Sequence, residues 1–138
     1  MHEWALAESI VDTAVDTAKR ERLRTIDEII ILIGELQQIE RDIFEFALKE
    51  ITKTRKTIGF KKTIFNIKIE KSRLKCRVCG YTWSFNEIRK NLSEEESEAI
   101  HFIPEIAFVH TRCPRCNSPD FEIISGRGIA IKSIRGSR

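Results

Sequence analysis

Two pairs of cysteines with matched spacing are the residues of this chain best suited to metal chemistry. Cys76 and Cys79 are separated by two residues, and so are Cys113 and Cys116. A turn of this length lets both thiolates of a pair face one ion, and two such turns complete the tetrahedral four-thiolate site that zinc favours. The spacing therefore predicts a closed zinc site with a structural role, because four thiolates leave no position for water or substrate.

The residue that follows each cysteine pair fits the same geometry. Gly80 follows the first pair and Asn117 follows the second. Both residue types tolerate the left-handed backbone conformation that such a turn often needs. We therefore expect a positive φ at both positions.

The same four cysteines are compatible with two disulfides, which would require an oxidising compartment. The first residues, Met1-His2-Glu3-Trp4, have neither the basic region nor the apolar run of a secretory signal. We therefore expect a cytoplasmic protein that binds zinc. A site that loses zinc on oxidation and closes as disulfides is a further alternative that stays open.

His2 is a second candidate for metal binding, with different chemistry. The α-amine of Met1, together with the backbone amide nitrogen and imidazole of His2, can form fused chelate rings around square-planar nickel(II) or copper(II). Three nitrogens leave one position open, which suits a metal that is passed on. Glu3 can supply a fourth, amide nitrogen, and its carboxylate can cap a helix or adjust the ligand field. The alternative is that His2 is only a polar residue at a frayed end.

Apolar periodicity predicts an α+β fold. A helical stripe covers residues 6–18, a largely apolar strand covers 26–33, and a second helical stripe covers 39–51. Phe65, Ile67 and Ile69 alternate with polar residues, which predicts a strand with one solvent-facing side. Residues 126–136 are compatible with a last strand, and we expect that strand to return to the sheet formed by the first two.

The zinc motif then becomes an insertion between two parts of the first domain. We predict a three-stranded sheet packed with two helices in residues 1–73 and 126–138, and a zinc-ribbon-like domain in residues 74–125. The crossings near Ser72 and Ser125 are candidate hinges. Residues 80–112, between the pairs, need structure of their own. We expect a short strand at Trp83 and Phe85, a helix capped by Ser93, and an apolar segment at 106–109.

Charge and hydropathy exclude some classes of protein. A third of the residues are charged, yet the formal net charge is only +3, so no strong nucleic-acid field is built in. The longest apolar run, residues 29–33, is far too short to cross a bilayer. We therefore expect no membrane association and no nucleic-acid partner.

Several of these features together resemble one family. The start Met1 to Ala7, the segment Ile33-Gly34-Glu35-Leu36, the paired cysteines and Gly126-Arg127-Gly128 are similar to the HypA/HybF nickel-incorporation proteins of hydrogenase maturation. The resemblance covers nearly the whole chain. The long segment between the cysteine pairs departs from the shorter pattern of the family and resembles an archaeal variant with an insertion.

The resemblance implies a nickel metallochaperone without catalytic activity. It implies a nickel-binding GTPase of the same pathway as a partner, and the large subunit of nickel–iron hydrogenase as the destination of the metal. It assigns Ni(II) to His2, with Met1 and Glu3 as further candidates. It assigns structural Zn(II) to a set of four ligands: Cys76, Cys79, Cys113 and Cys116.

Two more histidines lie near the zinc motif. His101 lies in the inserted segment, and we hypothesise that movement of the zinc domain brings its imidazole to nickel; the alternative is a partly buried structural histidine. His110 is interpreted as a packing residue, because four thiolates already saturate zinc.

The main alternative function is a zinc-ribbon adaptor that binds nucleic acid or protein. Basic residues flank both cysteine pairs, but no aromatic and basic recognition strip accompanies them. No arrangement of side chains typical of an enzyme is found in the sequence.

Overall fold

The computed structural model describes residues 2–37, 39–89, 92–103 and 111–138, with the backbone alone for His2, Ile88, Arg89, Ser97, Ile100, His101 and Phe102. These ranges contain four helices and six strands, in chain order: α1 His2–Arg20, β1 Thr25–Gly34, α2 Arg41–Thr52, β2 Ile64–Glu70, β3 Arg73–Cys76, β4 Thr82–Trp83, α3 Phe85–Arg89, α4 Glu94–Phe102, β5 Phe121–Ser125 and β6 Ile129–Ser137. A 3₁₀ turn, Glu35–Gln37, follows β1. Within these ranges no helix is both long enough and apolar enough to span a lipid bilayer.

The described chain forms two compact units. The first unit comprises Met1–Leu32, Ile39–Lys68 and Ile129–Arg138, and the second comprises Ile33–Gln38 and Ile69–Gly128. The domains predicted from the sequence, 1–73 with 126–138 and 74–125, stay a prediction. A domain is a part of the chain that could fold alone, and a division of one structure by its contacts does not test this.

In the first unit, α1 and α2 pack against each other through the apolar stripes that the sequence predicts. The buried side chains of α1 are spaced three and four residues apart: Ala7, Ile10, Val11, Ala14, Val15 and Ala18. α2 contributes Phe44, Ala47 and Leu48. The predicted helices are therefore both present.

The three-stranded sheet has the order β2-β1-β6. The last strand returns to the first two, so the predicted α+β class with an inserted cysteine module is confirmed. One detail of the prediction is wrong: Ile69 was expected on the buried face of its strand, and it is 55% exposed. β2 is an edge strand, and only its middle residue, Ile67, is buried.

An unusual residue follows the end of α1. The amide of Leu23 donates to the carbonyl of Ala18 at 2.8 Å, and the amide of Arg22 donates to Lys19 at 3.2 Å, which is the Schellman pattern. Arg22 has a φ of 59°. Glycine is usual at this position, since a Cβ in the left-handed region costs roughly 1–2 kcal/mol.

The second unit contains a separate antiparallel sheet of order β4-β3-β5. Its register pairs Leu74 with Trp83 and Cys76 with Phe121. The buried core of this unit consists of apolar side chains and two cysteines: Leu36, Leu74, Cys76, Trp83, Phe85, Cys113 and Phe121. β3, β5 and α3 were not predicted, because each is at most five residues long and carries little periodicity.

The segment between the cysteine pairs differs in part from expectation. Trp83 lies in a two-residue strand as predicted, but Phe85 begins α3 instead of extending that strand. Ser93 caps α4 as predicted, and its capping box is completed by Glu96. Residues 106–109 lie outside the described residues.

A hydrogen-bonded cluster holds three segments of the second unit together around Ser72, near which the sequence suggests a hinge. The Glu35 carboxylate accepts from the amide of Ser72 at 2.8 Å and from its hydroxyl at 3.1 Å. The same hydroxyl accepts from the amide of Phe85 at 2.9 Å. Gly126 lies directly against this cluster: it has a φ of 85°, and an added Cβ would lie 2.5 Å from Cα of Ser72.

Replacing Gly126 by alanine should therefore destabilise the protein by about 2–4 kcal/mol, through left-handed strain and steric overlap. Gly128 is the matched control, because an added Cβ there meets nothing within 4 Å. Denaturant unfolding followed by circular dichroism measures both variants. Equal stability of Gly126→Ala and Gly128→Ala would contradict the close packing described for Gly126.

Candidate metal centre

Each cysteine pair sits in a turn held by the same two backbone hydrogen bonds. In the first turn the amide of Cys76 donates to Tyr81 at 2.8 Å, and the amide of Gly80 donates to Cys76 at 3.0 Å. The second turn repeats this pattern at 2.9 Å in both bonds, with Cys113, Ser118 and Asn117 in the equivalent places. The repeated cysteine spacing therefore produces a repeated backbone structure.

The predicted left-handed residues are present at the end of each turn. Gly80 has a φ of 77°, and Asn117 has a φ of 62°. This conformation reverses the chain after the second cysteine of the pair, so that the amide of the left-handed residue donates back to the first cysteine. The prediction from residue type is confirmed at both positions.

The two turns bring all four sulfur atoms together. Every Sγ lies within 4.8 Å of the other three. Sγ of Cys76 is 3.5 Å from that of Cys116, and Sγ of Cys79 is 3.6 Å from that of Cys113. Tetrahedral coordination with metal–sulfur distances of about 2.3 Å requires sulfur atoms about 3.8 Å apart, which these separations approach.

All four thiols are free, and no disulfide links them. The shortest separations given above, 3.5 and 3.6 Å, are far longer than the bond of about 2.05 Å that the alternative of two disulfides requires. The arrangement is that of a four-coordinate metal site, and the thiolate donors are those that zinc prefers.

The four sulfurs differ in burial. Cys76 and Cys113 are 1% and 2% exposed and belong to the core of the second unit. Cys79 and Cys116 are exposed to solvent. An ion held between them would be anchored to the core on one side and reachable from water on the other.

Backbone amides favour the thiolate form of the two buried cysteines. The amide of Cys79 donates to Sγ of Cys76 at 3.4 Å, and the amide of Val78 donates to the same atom at 3.3 Å. These hydrogen bonds, chiefly the one from Cys79, outweigh the effect of burial and lower the pKa of Cys76 to about 7. Burial acts to raise the pKa of Cys113, but amide hydrogen bonds, chiefly from Cys116 at 3.5 Å, leave it below the ordinary thiol value.

The fourth thiol behaves in the opposite way. A backbone hydrogen bond from Ser118 acts to lower the pKa of Cys116, but partial desolvation of its sulfur, despite the exposure of the residue, and the three neighbouring sulfurs raise it to about 12. Four like charges in this volume cannot coexist without a cation. The metal-free cluster therefore retains protons at neutral pH, and a bound divalent ion would replace them.

One contact that supports the centre was not anticipated from the sequence. Arg77, inside the first turn, donates through its amide to the carbonyl of Asp120 at 3.0 Å and through its guanidinium to the carboxylate of Asp120 at 3.0 Å. The guanidinium also donates to the carbonyl of Phe121 at 3.3 Å. These bonds tie the first turn to the segment after the second pair, and 43 residues of separation leave no local signal for them.

The predicted nickel ligands are described only in part. Met1, His110 and the side chains of His2 and His101 lie outside the described residues, so the nickel site stays a prediction. The backbone of His2 begins α1. The side chain of Glu3, in the first turn of that helix, is 4% exposed.

The chain is similar to known proteins along nearly its whole length. The family model described as "Hydrogenase/urease nickel incorporation, metallochaperone, hypA" matches residues 1–136. The hydrogenase maturation factor HypA of Thermococcus onnurineus is 44% identical over 135 residues, which are 98% of this chain and 95% of that protein. HypA of Pyrococcus abyssi is 43% identical over 135 residues, which are again 98% of this chain and 95% of that protein.

A solved structure gives the same picture of the fold. The solution structure of the Ni metallochaperone HypA from Helicobacter pylori superposes with a TM-score of 0.64 at 19% identity, and the match covers 99% of this chain and 98% of that one. At this identity the likeness concerns the fold.

The turn geometry predicts that Gly80 tolerates asparagine but not valine. An added Cβ at Gly80 meets nothing within 4 Å, so we expect backbone strain to dominate the effect of a substitution. Gly80→Val should cost about 1–2 kcal/mol and lower metal retention, because β-branched residues avoid positive φ. Gly80→Asn should stay close to wild type, since Asn117 occupies the equivalent place.

Thermal unfolding and metal content by mass spectrometry measure both variants. Equal metal retention and unfolding midpoints in the two variants would show that the left-handed turn does not constrain the site.

Proposed function

We propose that this chain, which belongs to the HypA family of hydrogenase and urease nickel-incorporation metallochaperones, binds Ni(II) at its N-terminus and delivers it to the large subunit of nickel–iron hydrogenase. The match of the family model to residues 1–136 carries the proposal. The family resemblance drawn from the sequence is confirmed, and the family consists of metallochaperones, not enzymes.

The proposed nickel ligands are His2, the Met1 amine and the Glu3 backbone nitrogen. The start of α1 at His2 supports this set. The amide groups of the first helical turn have no acceptor within the helix, so a nitrogen there can lose its proton to nickel without breaking a helical hydrogen bond. Amide nitrogen and imidazole together favour the square-planar geometry of nickel(II).

Glu3 has a second proposed role through its charge. Burial of its side chain favours the amide nitrogen over the carboxylate as the nickel ligand. A helix start carries partial positive charge, which disfavours a cation. The Glu3 carboxylate in the first turn offsets that charge and the charge of the ion.

Zinc is proposed at the four cysteines as a structural ion. The support is the fit of the sulfur separations to a tetrahedral thiolate site and the position of Cys76 and Cys113 in a buried core. Thiolates in a closed tetrahedron suit zinc, whereas nitrogen donors in a plane suit nickel. Two metals are therefore sorted by donor type and geometry within one chain.

His101 is proposed as a conditional nickel ligand, supplied when the protein meets its partner. α4 carries this residue near its carboxyl end. A hydrogenase maturation factor interacts with the hydrogenase maturation machinery. The proposed partners within it are a nickel-binding GTPase and the hydrogenase large subunit.

Nickel titration of zinc-loaded protein that begins at an unmodified Met1 tests the proposal. We expect one equivalent of nickel with a square-planar absorption band, and loss of that band in His2→Ala. Binding should weaken as pH falls, because the amine, amide and imidazole must all lose protons. His110→Ala is the control and should bind nickel as wild type does.

Equal nickel binding by wild type and His2→Ala would contradict the N-terminal site and favour the zinc-ribbon adaptor. For His101, nickel loading of His101→Ala is compared with the GTPase present and absent. We expect a difference only in its presence, and unchanged loading in both conditions would remove His101 from the ligand set.

Zinc removal should loosen the second unit. Trp4→Phe leaves Trp83 as the only tryptophan, and Trp83 is fully buried beside the cysteine cluster. Chelation of zinc should therefore shift its emission to longer wavelength, because the core opens to water. Fluorescence and metal content are measured together, with re-addition of zinc to test reversal. Unchanged emission after complete zinc loss would contradict a structural role for the ion.

A further inference from the structure

A cluster of basic side chains surrounds the end of α1. Residues 19–24 contain four basic side chains and one acidic one, so this short segment alone accounts for the formal net charge of +3 of the whole chain. Arg138 joins it, because its Nε donates to the carbonyl of Glu21 at 3.3 Å. We define the basic turn as five exposed residues: Lys19, Arg20, Arg22, Arg24 and Arg138.

The arrangement of the basic turn is held by the backbone. The Schellman hydrogen bonds fix Arg22 and Leu23 against the end of α1. The amide of Arg24 donates to Ser137 at 2.8 Å, and the carbonyl of Arg24 accepts from Gly59 at 2.8 Å. The charges are therefore presented on a rigid support instead of a mobile loop.

The basic turn lacks internal charge partners. Elsewhere in the described ranges, four arginines form ion pairs with carboxylates, whereas Arg73, Arg112 and Arg115 form none: the pairs are Arg41 with Glu45, Arg55 with Asp12, Arg77 with Asp120 and Arg135 with Glu28. Within those ranges no carboxylate lies within ion-pair distance of any member of the basic turn. Their positive charge is directed at solvent.

Arg22 adds an independent observation. The dipole of α1 favours Lys19 and Arg20 in its last turn, so these two need no further explanation. Arg22 lies beyond the helix at a φ of 59°, where glycine would relieve backbone strain. An arginine at this position sacrifices stability, and its exposed guanidinium is the property that glycine would lack.

We propose that the basic turn is a docking surface for an acidic surface of a protein partner. Arginine pairs with carboxylates through two parallel hydrogen bonds, which suits a protein surface rich in Asp and Glu. Among the described residues no exposed large apolar or aromatic side chain lies in this turn, and Leu23 is half-buried. The turn therefore lacks the stacking groups of single-stranded nucleic-acid sites and the apolar residues of membrane-binding helices.

The variant Arg22→Gly distinguishes a docking role from a structural role. A docking role predicts a variant that is more stable and binds the partner more weakly, whereas a structural role predicts a less stable variant. Relief of the left-handed strain should raise the thermal unfolding midpoint by about 2–4 °C. Loss of the charge should weaken association with the partner by about threefold, and the double variant Arg22→Gly/Arg24→Ser by about tenfold. Lys49→Gln removes an exposed charge on α2 and is the control, which should bind as wild type does.

Association is measured by interferometry with the purified maturation GTPase and the hydrogenase large-subunit precursor, a choice that rests on the proposed function. A 20-nucleotide single-stranded RNA and vesicles containing phosphatidylserine are the comparison probes. We expect binding of at least one protein, with an affinity that falls between 50 and 200 mM salt as expected for exposed charges. Arg22→Lys should retain it.

Three results would overturn the docking surface: wild-type affinity of the double variant for both proteins, failure of wild type to bind either protein, or tighter binding of RNA or vesicles than of the proteins. Nickel titration of the same preparations distinguishes this failure from failure of the proposed function. The basic turn contributes no nickel ligand, so nickel binding should be unchanged in Arg22→Gly.

Discussion

Electrostatic repulsion among four sulfur atoms is the constraint around which the second unit is organised. Two short turns place the sulfurs within 4.8 Å of one another, closer than four thiolates can remain without a cation. Amide donors lower the pKa values of Cys76 and Cys113, whereas desolvation and the three neighbouring sulfurs raise the pKa of Cys116. Only an ion or retained protons can resolve this conflict, so binding of an ion at this cluster would be coupled to the folding of the unit.

The two buried cysteines, Cys76 and Cys113, connect the sulfur cluster to the apolar core of the second unit. Cys76 pairs with Phe121 across the sheet, and the ring of Phe121 meets that of Trp83 edge-on at a centroid distance of 5.3 Å. Among the described residues of this unit, a core of seven buried side chains, two of them candidate metal ligands, is too small to be stable from apolar burial alone. An ion bound by the four cysteines would replace the additional apolar contacts that a larger domain would have.

Left-handed backbone positions serve two different purposes in this chain. Gly80, Asn117 and Gly126 carry the residue types that this conformation accepts, and each closes a turn or permits a close approach. Arg22 has the same conformation with a residue type that resists it. The first three positions follow from the demands of folding, whereas Arg22 is better explained by the surface that it presents.

Elements and candidate ligands whose signals are local could be predicted from the amino-acid sequence. Helical stripes, the apolar β1, the Ser93 cap and the two matched cysteine pairs all depend on neighbours a few residues away, and the structure contains each of them. That the two turns meet, with Cys76 near Cys116 and Cys79 near Cys113, depends on tertiary structure, because these residues are 40 and 34 positions apart in the chain. The second sheet, the contact of Arg77 with Asp120 and the exposure of Ile69 have the same origin. Periodicity reports which side of an element is apolar, but burial depends on which distant segment covers it.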